Sequence, residues 1–319
     1  MRISGFSMGK NAHKLYYPMA PAIASILPLV DEFVVALGDS DEDDRTREAI
    51  DKLNSHKIRI IDTVWDIETF PRGMEHAHQT DLAKEQCTGD WLFYLQSDEV
   101  VHEKYLPVIE KRCRELLDDK EVEGLLFKYH HFWGDYWHVQ DSHCWYRKEI
   151  RIIRNDPEIH SWESAQSFRR IPGFDGKNYR QQEGTYKLKV ADVDACIYHY
   201  GWVRPPAVMQ NKIKVFSMNH RGRASVEKQV REKKFDQVFD YGNLSRLTRF
   251  KGTHPDVMAD WINDFDWKGQ LRYEGPARSM NPVKNKHDKR KYRVISWIER
   301  YLLFGIRLGE FKNYIKLRR

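Results

Sequence analysis

The stretch Gly89-Asp90-Trp91-Leu92-Phe93-Tyr94-Leu95-Gln96-Ser97-Asp98-Glu99 runs apolar from Trp91 to Leu95 and then stops at an acidic pair. A short apolar run bounded by polar residues reads as a strand buried in a sheet. Such a strand delivers its last side chains to the carboxyl edge, where α/β proteins bind ligands. Carboxylates at that edge, Asp98 and Glu99, suit a hard divalent cation, which in turn neutralises a diphosphate. The competing reading is that the pair caps the helix expected from about Glu103, because Asp is a favoured N-cap residue.

Outward from this strand, the first half of the chain alternates short apolar runs with helix-like segments. Residues 2–6, 33–37, 58–61, 91–95 and 124–128 are expected as strands, and 45–54, 73–87 and 104–117 as helices. That alternation predicts a mostly parallel sheet with helices on both faces. The second half is richer in aromatics. Residues 149–154 and 195–200 read as strands, and 206–219 and 226–239 as helices. A basic linker follows over 278–293, and Ile295, Ile298, Tyr301, Leu302 and Ile306 then recur at helical spacing.

At 319 residues, 31% charged and 41% hydrophobic, the chain has the composition of a folded protein with a sizeable core. Its longest uncharged run, from Leu15 to Val30, contains Pro18, Pro21 and Pro28. It falls short of the ~20 residues that a spanning helix needs. The prolines also break the apolar core that a signal peptide requires. Cys87, Cys113, Cys144 and Cys196 are widely spaced with no Cys-x-x-Cys pair, which points away from a zinc knuckle or a disulfide framework and toward a reducing cytoplasm. Residues 277–319 hold 13 Lys or Arg against 3 Asp or Glu, a net +10, whereas the first 276 residues carry −4. The basicity therefore sits in the tail. This excludes a nucleic-acid-binding core and predicts a cationic extension that meets an anionic surface.

Two further groups invite chemistry. In Gly38-Asp39-Ser40-Asp41 a strand end carries carboxylates that can accept hydrogen bonds from a base or a ribose, although such a charge run is equally a solvated turn. In Ile197-Tyr198-His199-Tyr200-Gly201-Trp202 a His ends another apolar strand. Neutral imidazole is a common metal ligand, and one His with one or two carboxylates leaves positions open for phosphate oxygens. The plainer reading of His199 is packing between its tyrosines.

Taken together, Ile3-Ser4-Gly5-Phe6, Phe33 to Asp41, Gly89 to Glu99, Arg151-Ile152-Ile153-Arg154-Asn155 and the segment around His199 resemble a family 2 glycosyltransferase of the GT-A fold, over about residues 1–204. The fold class the resemblance implies is α/β, GT-A-like and Rossmann-related. It comprises a catalytic nucleotide-sugar-binding domain over 1–204, a helical extension over 205–276 and a basic amphipathic tail over 277–319. It implies a divalent cofactor, manganese or magnesium, held by Asp98, His199 and Glu99. It also implies a donor, a UDP-sugar, bound by Phe6, Ser7, Asp39, Asp41, Gln96 and Asp98. Gln96 stands where the family's Asp-x-Asp motif has its first Asp, so the motif contributes one charge fewer to a cation. The general base implied for transfer is Glu163, in His160-Ser161-Trp162-Glu163-Ser164-Ala165-Gln166, with Asp192 and Asp194 as alternatives. Trp133, Trp137 and Trp162 are candidates for a sugar platform or for core packing.

The acceptor class expected is a glycan or a lipid-linked saccharide, and the expected location is cytoplasmic, peripheral on the inner face of the membrane through the tail. The tail's apolar residues either meet an anionic membrane surface or dock back on the domain. A non-catalytic nucleotide- or sugar-binding protein that keeps the fold is the alternative function.

Overall fold

The computed structural model describes residues 1–232, 238–276, 278–281, 285–304, 306–309 and 312–319. Part of the helix expected over 226–239 and part of the linker over 278–293 lie outside them. In chain order the elements are β1 (Ile3–Gly9), α1 (Met19–Ile26), β2 (Glu32–Leu37), α2 (Thr46–Asp51), β3 (Ile58–Asp62), α3 (Met74–Lys84), β4 (Trp91–Tyr94), β5 (Glu99–Val101), α4 (Leu106–Glu115), β6 (Gly124–Trp133) and β7 (His138–Val139). They continue with β8 (Lys148–Arg154), β9 (Ile159–Trp162), β10 (Ser167–Arg170), β11 (Tyr186–Trp202), α5 (Pro206–Arg221), α6 (Arg223–Arg231), β12 (Thr248–Arg249), α7 (Ala259–Asn263), α8 (Arg290–Tyr301) and β13 (Tyr314–Lys316).

Strands β3, β2, β1 and β4 lie side by side and run parallel. Their composition requires it, because strands covered on both faces read as continuous apolar runs, and β1 and β4 are buried throughout. Alternate residues of β2 enter opposite cores. Phe33 and Val35 meet Ile23, Ile26, Ile50 and Ile109 from α1, α2 and α4, while Val34 and Ala36 meet Ala83 from α3. The α/β architecture with helices on both faces is thus present. Beyond β4 the sheet becomes mixed: β8 pairs antiparallel with both β4 and β6, and β6 pairs parallel with β11.

The expected division at residue 204 is not a boundary in the packing. Helices α5 and α6 follow, but 238–276 is mostly irregular and shares a core with the sheet, in which Phe132, Trp133, Tyr198 and Tyr200 meet Tyr241, Leu244, Met258 and Trp267. Nor does the tail hang free. β13 pairs parallel with β11, placing Tyr314 beside Leu188, and Asn313 Oδ1 accepts a hydrogen bond from Arg169 Nε at 2.7 Å. Among the described residues no helix is long and apolar enough to cross a membrane.

Candidate active site

The strand order reverses at β1, with β2 and β3 on one side and β4 on the other. In open α/β sheets such a switch point opens a crevice outside the carboxyl ends of the strands. The turn leaving β4 carries Gln96, Ser97 and Asp98 to this edge, and Ser97 Oγ donates to the Met8 carbonyl of β1 at 2.9 Å, tying the turn to its neighbour. The end of β11 arrives from the other side. Tyr200 N donates to the Asp98 carbonyl at 2.8 Å, which sets His199 Nε2 3.7 Å from Asp98 Oδ2. Both side chains are buried, with about a tenth of each exposed.

The protonation of His199 follows from its neighbours. His131, opposite it in β6, has Nε2 2.8 Å from the Tyr146 carbonyl, which can only accept, so that nitrogen carries the hydrogen. Burial holds His131 well below the ordinary histidine range and therefore neutral, which leaves its Nδ1 bare. Nδ1 of His199 lies 3.0 Å from that bare nitrogen and must donate to it. Burial also pulls His199 down to about 3, so it too is neutral and its remaining nitrogen, Nε2, is a lone pair. A lone pair and a carboxylate oxygen thus face each other in a buried site, an arrangement that calls for a cation between or beside them. Second hydrogen bonds of this kind fix the tautomer of metal-binding histidines.

Gly201 leaves the room. A Cβ there would stand 2.4 Å from Asp98 Oδ2 and 2.6 Å from His199 Nε2. Two ligand atoms 3.7 Å apart can share one ion at ordinary lengths of ~2 to 2.3 Å. Among the described residues no cluster of three or more His, Cys, Asp or Glu forms, so this pair would hold a cation together with ligands from outside the protein.

Positive charge already flanks the pair. Lys212 of α5 lies with Nζ 3.8 Å from Asp98 Oδ2 and donates to the Gly201 carbonyl, to which Arg204 also donates at 3.0 Å. Burial pushes Lys212 down to about 7. Arg204 is fully buried, and its Nε has no hydrogen-bond partner. Sequence reasoning missed His131, Lys212 and Arg204. The adjacent histidines at the end of β6 were a signal for the first; Lys212 stands in an unremarkable helix and gave none.

Several expected site residues lie elsewhere. Glu99 faces away from Asp98 and His199. Asp98 sits in a tight turn closed by Glu99 N donating to the Gln96 carbonyl at 3.0 Å, and Glu99 opens β5, so Asp98 is left at the crevice while Glu99 turns inward. There it meets Arg151 at 2.6 and 2.7 Å and accepts from Tyr129 Oη at 2.8 Å, with both ionic partners wholly buried. The acidic pair does not cap a helix either, because His102 occupies that place. Asp192 and Asp194 lie away from the crevice: they precede His199 on the same strand by seven and five residues, roughly 16 to 23 Å along it. They pair with Lys148 at 2.6 Å and Lys128 at 2.7 Å.

Phe6 is core, its ring 5.2 Å from that of Tyr94 and wholly buried. Ser7 is also buried, and its hydroxyl lacks a partner. Asp39 and Asp41 do lie in the loop after β2, half exposed, paired with Lys10 at 2.8 Å and Lys14 at 2.7 Å. Trp133 and Trp162 are core residues, whereas Trp137 is partly exposed.

Glu163 begins the turn between β9 and β10. Glu163 and Ala165 both have φ near +60°, a left-handed conformation that side chains rarely adopt and that clusters at functional sites. The same turn touches the motif, because Gln96 Nε2 donates to the Ala165 carbonyl at 2.9 Å. The Glu163 carboxylate lies 3.6 Å from Arg180.

No family model matches the sequence, and no curated protein matches it. The solved structures that show partial likeness include the following two. Glucosyl-3-phosphoglycerate synthase from Mycobacterium tuberculosis, in complex with Mn2+, uridine diphosphate and phosphoglyceric acid, is 19% identical over 41% of this chain and 43% of its own, with a TM-score of 0.28. S. aureus TarS 1–349 in complex with UDP is 13% identical over 74% of this chain and 69% of its own, with a TM-score of 0.37. The chain therefore spans less than half the length of the first.

Proposed function

We propose that the chain is a glycosyltransferase that moves a sugar from a nucleoside diphosphate donor, a UDP-sugar, to a hydroxyl of a glycan or lipid-linked acceptor, with manganese or magnesium bound between Asp98 and His199. The observation that carries this reading is the pair of facing lone pairs at Asp98 Oδ2 and His199 Nε2, 3.7 Å apart beneath Gly201 at the switch point of the sheet. A cation there would supply charge to the diphosphate as it leaves the sugar.

The chain's own residues do the rest. Lys212, 3.8 Å from Asp98 Oδ2, adds positive charge for the same phosphates, and the buried Arg204, which donates to the Gly201 carbonyl as Lys212 does, raises the positive potential from behind. Gln96 spends its amide hydrogen on the Ala165 carbonyl, which leaves its oxygen to accept from a ribose hydroxyl. Asp39 and Asp41 offer carboxylates toward the nucleoside. Glu163, on a turn hydrogen-bonded to the motif, takes the proton from the acceptor hydroxyl as that oxygen attacks the anomeric carbon.

Two substitutions test these assignments. Glu163→Gln is expected to bind UDP and manganese as the wild type does and to lose ~10²- to 10⁴-fold in transfer rate. Transfer at the wild-type rate would remove Glu163 as the base. Gly201→Ala puts a methyl group where the cation would sit. Because Gly201 does not need a left-handed backbone, the variant should fold, with circular dichroism unchanged. Calorimetric titration of UDP with manganese should show affinity down by ~10- to 100-fold. Unaltered affinity would place the cation elsewhere.

A further inference from the structure

Helix α8 is amphipathic and sits the unusual way round. Its one buried residue is Glu299, which accepts hydrogen bonds from His143 Nδ1 at 2.7 Å, Arg307 Nη1 at 3.0 Å and the Leu308 amide at 2.8 Å. Next to it Ser296 Oγ accepts from the His143 amide at 2.8 Å, and Arg300 pairs with Asp141 at 2.5 Å. The polar side of the helix is thus the side fastened to the protein. The apolar side faces out: Val294, Trp297 and Tyr301 recur at helical spacing with more than half of each exposed. The chain beyond continues the surface with Leu302 at 58%, Phe304 at 93% and Ile306 at 68% exposure. Of the residues whose spacing marked the tail as amphipathic, Ile295 and Ile298 are half-buried, whereas Tyr301, Leu302 and Ile306 are exposed.

Among the described residues beside this surface the unpaired exposed charge is mostly positive, Asp141 being paired with Arg300. Lys286, Lys289, Arg290, Lys291 and Arg293 are exposed, whereas the nearby acids Asp288 and Glu299 are buried in hydrogen bonds. Contiguous exposed apolar surface of this kind marks an interaction site. Aromatic side chains flanked by Lys and Arg match the boundary between lipid headgroups and acyl chains, where the rings enter and the cations meet anionic headgroups.

We infer that α8 together with Leu302, Phe304 and Ile306 forms a membrane-contacting surface that seats the protein on an anionic phospholipid bilayer. This goes beyond the transfer reaction and does not depend on it, since it is read without donor or acceptor. The test is co-sedimentation of the full chain with vesicles of phosphatidylglycerol mixed with phosphatidylcholine, and with vesicles of phosphatidylcholine alone. Binding is expected with the mixed vesicles and should weaken as salt contracts the Debye length from ~10 to ~3 Å. The double variant Trp297→Glu/Phe304→Glu should bind the mixed vesicles at least ~10-fold less while melting as the wild type does, because both side chains are exposed. A wild-type chain that stays in the supernatant at low salt would overturn the proposal. So would equal binding by the double variant, or sedimentation velocity showing a dimer that the same variant dissolves, in which case a second copy covers the face.

Discussion

Asp98→Asn is expected to abolish manganese-dependent UDP binding and to lower transfer by about 10²- to 10³-fold, the loss typical when one preorganised electrostatic contact at a reacting centre is removed. The size follows from how little else the site offers. Gln96 is neutral and Glu99 is turned inward, so Asp98 is the charged member of the motif that faces the crevice. The amide keeps the shape of the carboxylate and the main-chain bond from Tyr200 to the Asp98 carbonyl is untouched, so the fold should persist, with the melting temperature lowered because Lys212 loses the carboxylate 3.8 Å away. Isothermal titration with UDP, with and without manganese, reads the result. Unchanged manganese dependence in this variant would remove Asp98 from the site.

The largest effect on stability is expected one residue away. Glu99→Ala leaves Arg151 wholly buried without its carboxylate and takes the acceptor from Tyr129 Oη. Removing one partner of a buried pair costs about 3 to 5 kcal/mol, because the remaining charge stays desolvated. Denaturant unfolding measures this directly. A second change, Arg151→Met, should recover part of the loss by removing the stranded charge as well. If Glu99→Ala instead unfolded at the wild-type midpoint while losing manganese binding, Glu99 would be a metal ligand after all and its partnership with Arg151 incidental.

The contrast between Asp98 and Glu99 shows what the sequence could and could not reveal. The run from Trp91 to Leu95 fixed the strand and its acidic end, and alternating segments predicted the parallel half of the sheet because continuous apolar strands have few other places to go. Adjacency in sequence suggested that both acids serve one ion. The tight turn from Gln96 to Glu99 separates them instead, and the partner that shows this, Arg151, is 52 residues away. β11 was read only at its apolar end, although its first half, where exposed Lys and Asp residues alternate with buried ones, carries the period-2 signal of a half-exposed strand. His199 was visible as a strand-ending His, but its tautomer depends on His131 and the Tyr146 carbonyl, which only tertiary pairing brings together. In α8 the apolar period was plain, while the side that docks was decided by the ion pairs of Glu299.

The central claim, that a divalent cation sits between Asp98 and His199 against the donor's phosphates, is tested most directly by a crystal soaked with UDP and manganese and measured for anomalous scattering. The account predicts one manganese peak within ~2 to 2.4 Å of both Asp98 Oδ2 and His199 Nε2, with diphosphate oxygens completing its shell beside Lys212. Ordered UDP with its phosphates on Lys212 and no manganese peak at that point, or a peak on other residues, would contradict it.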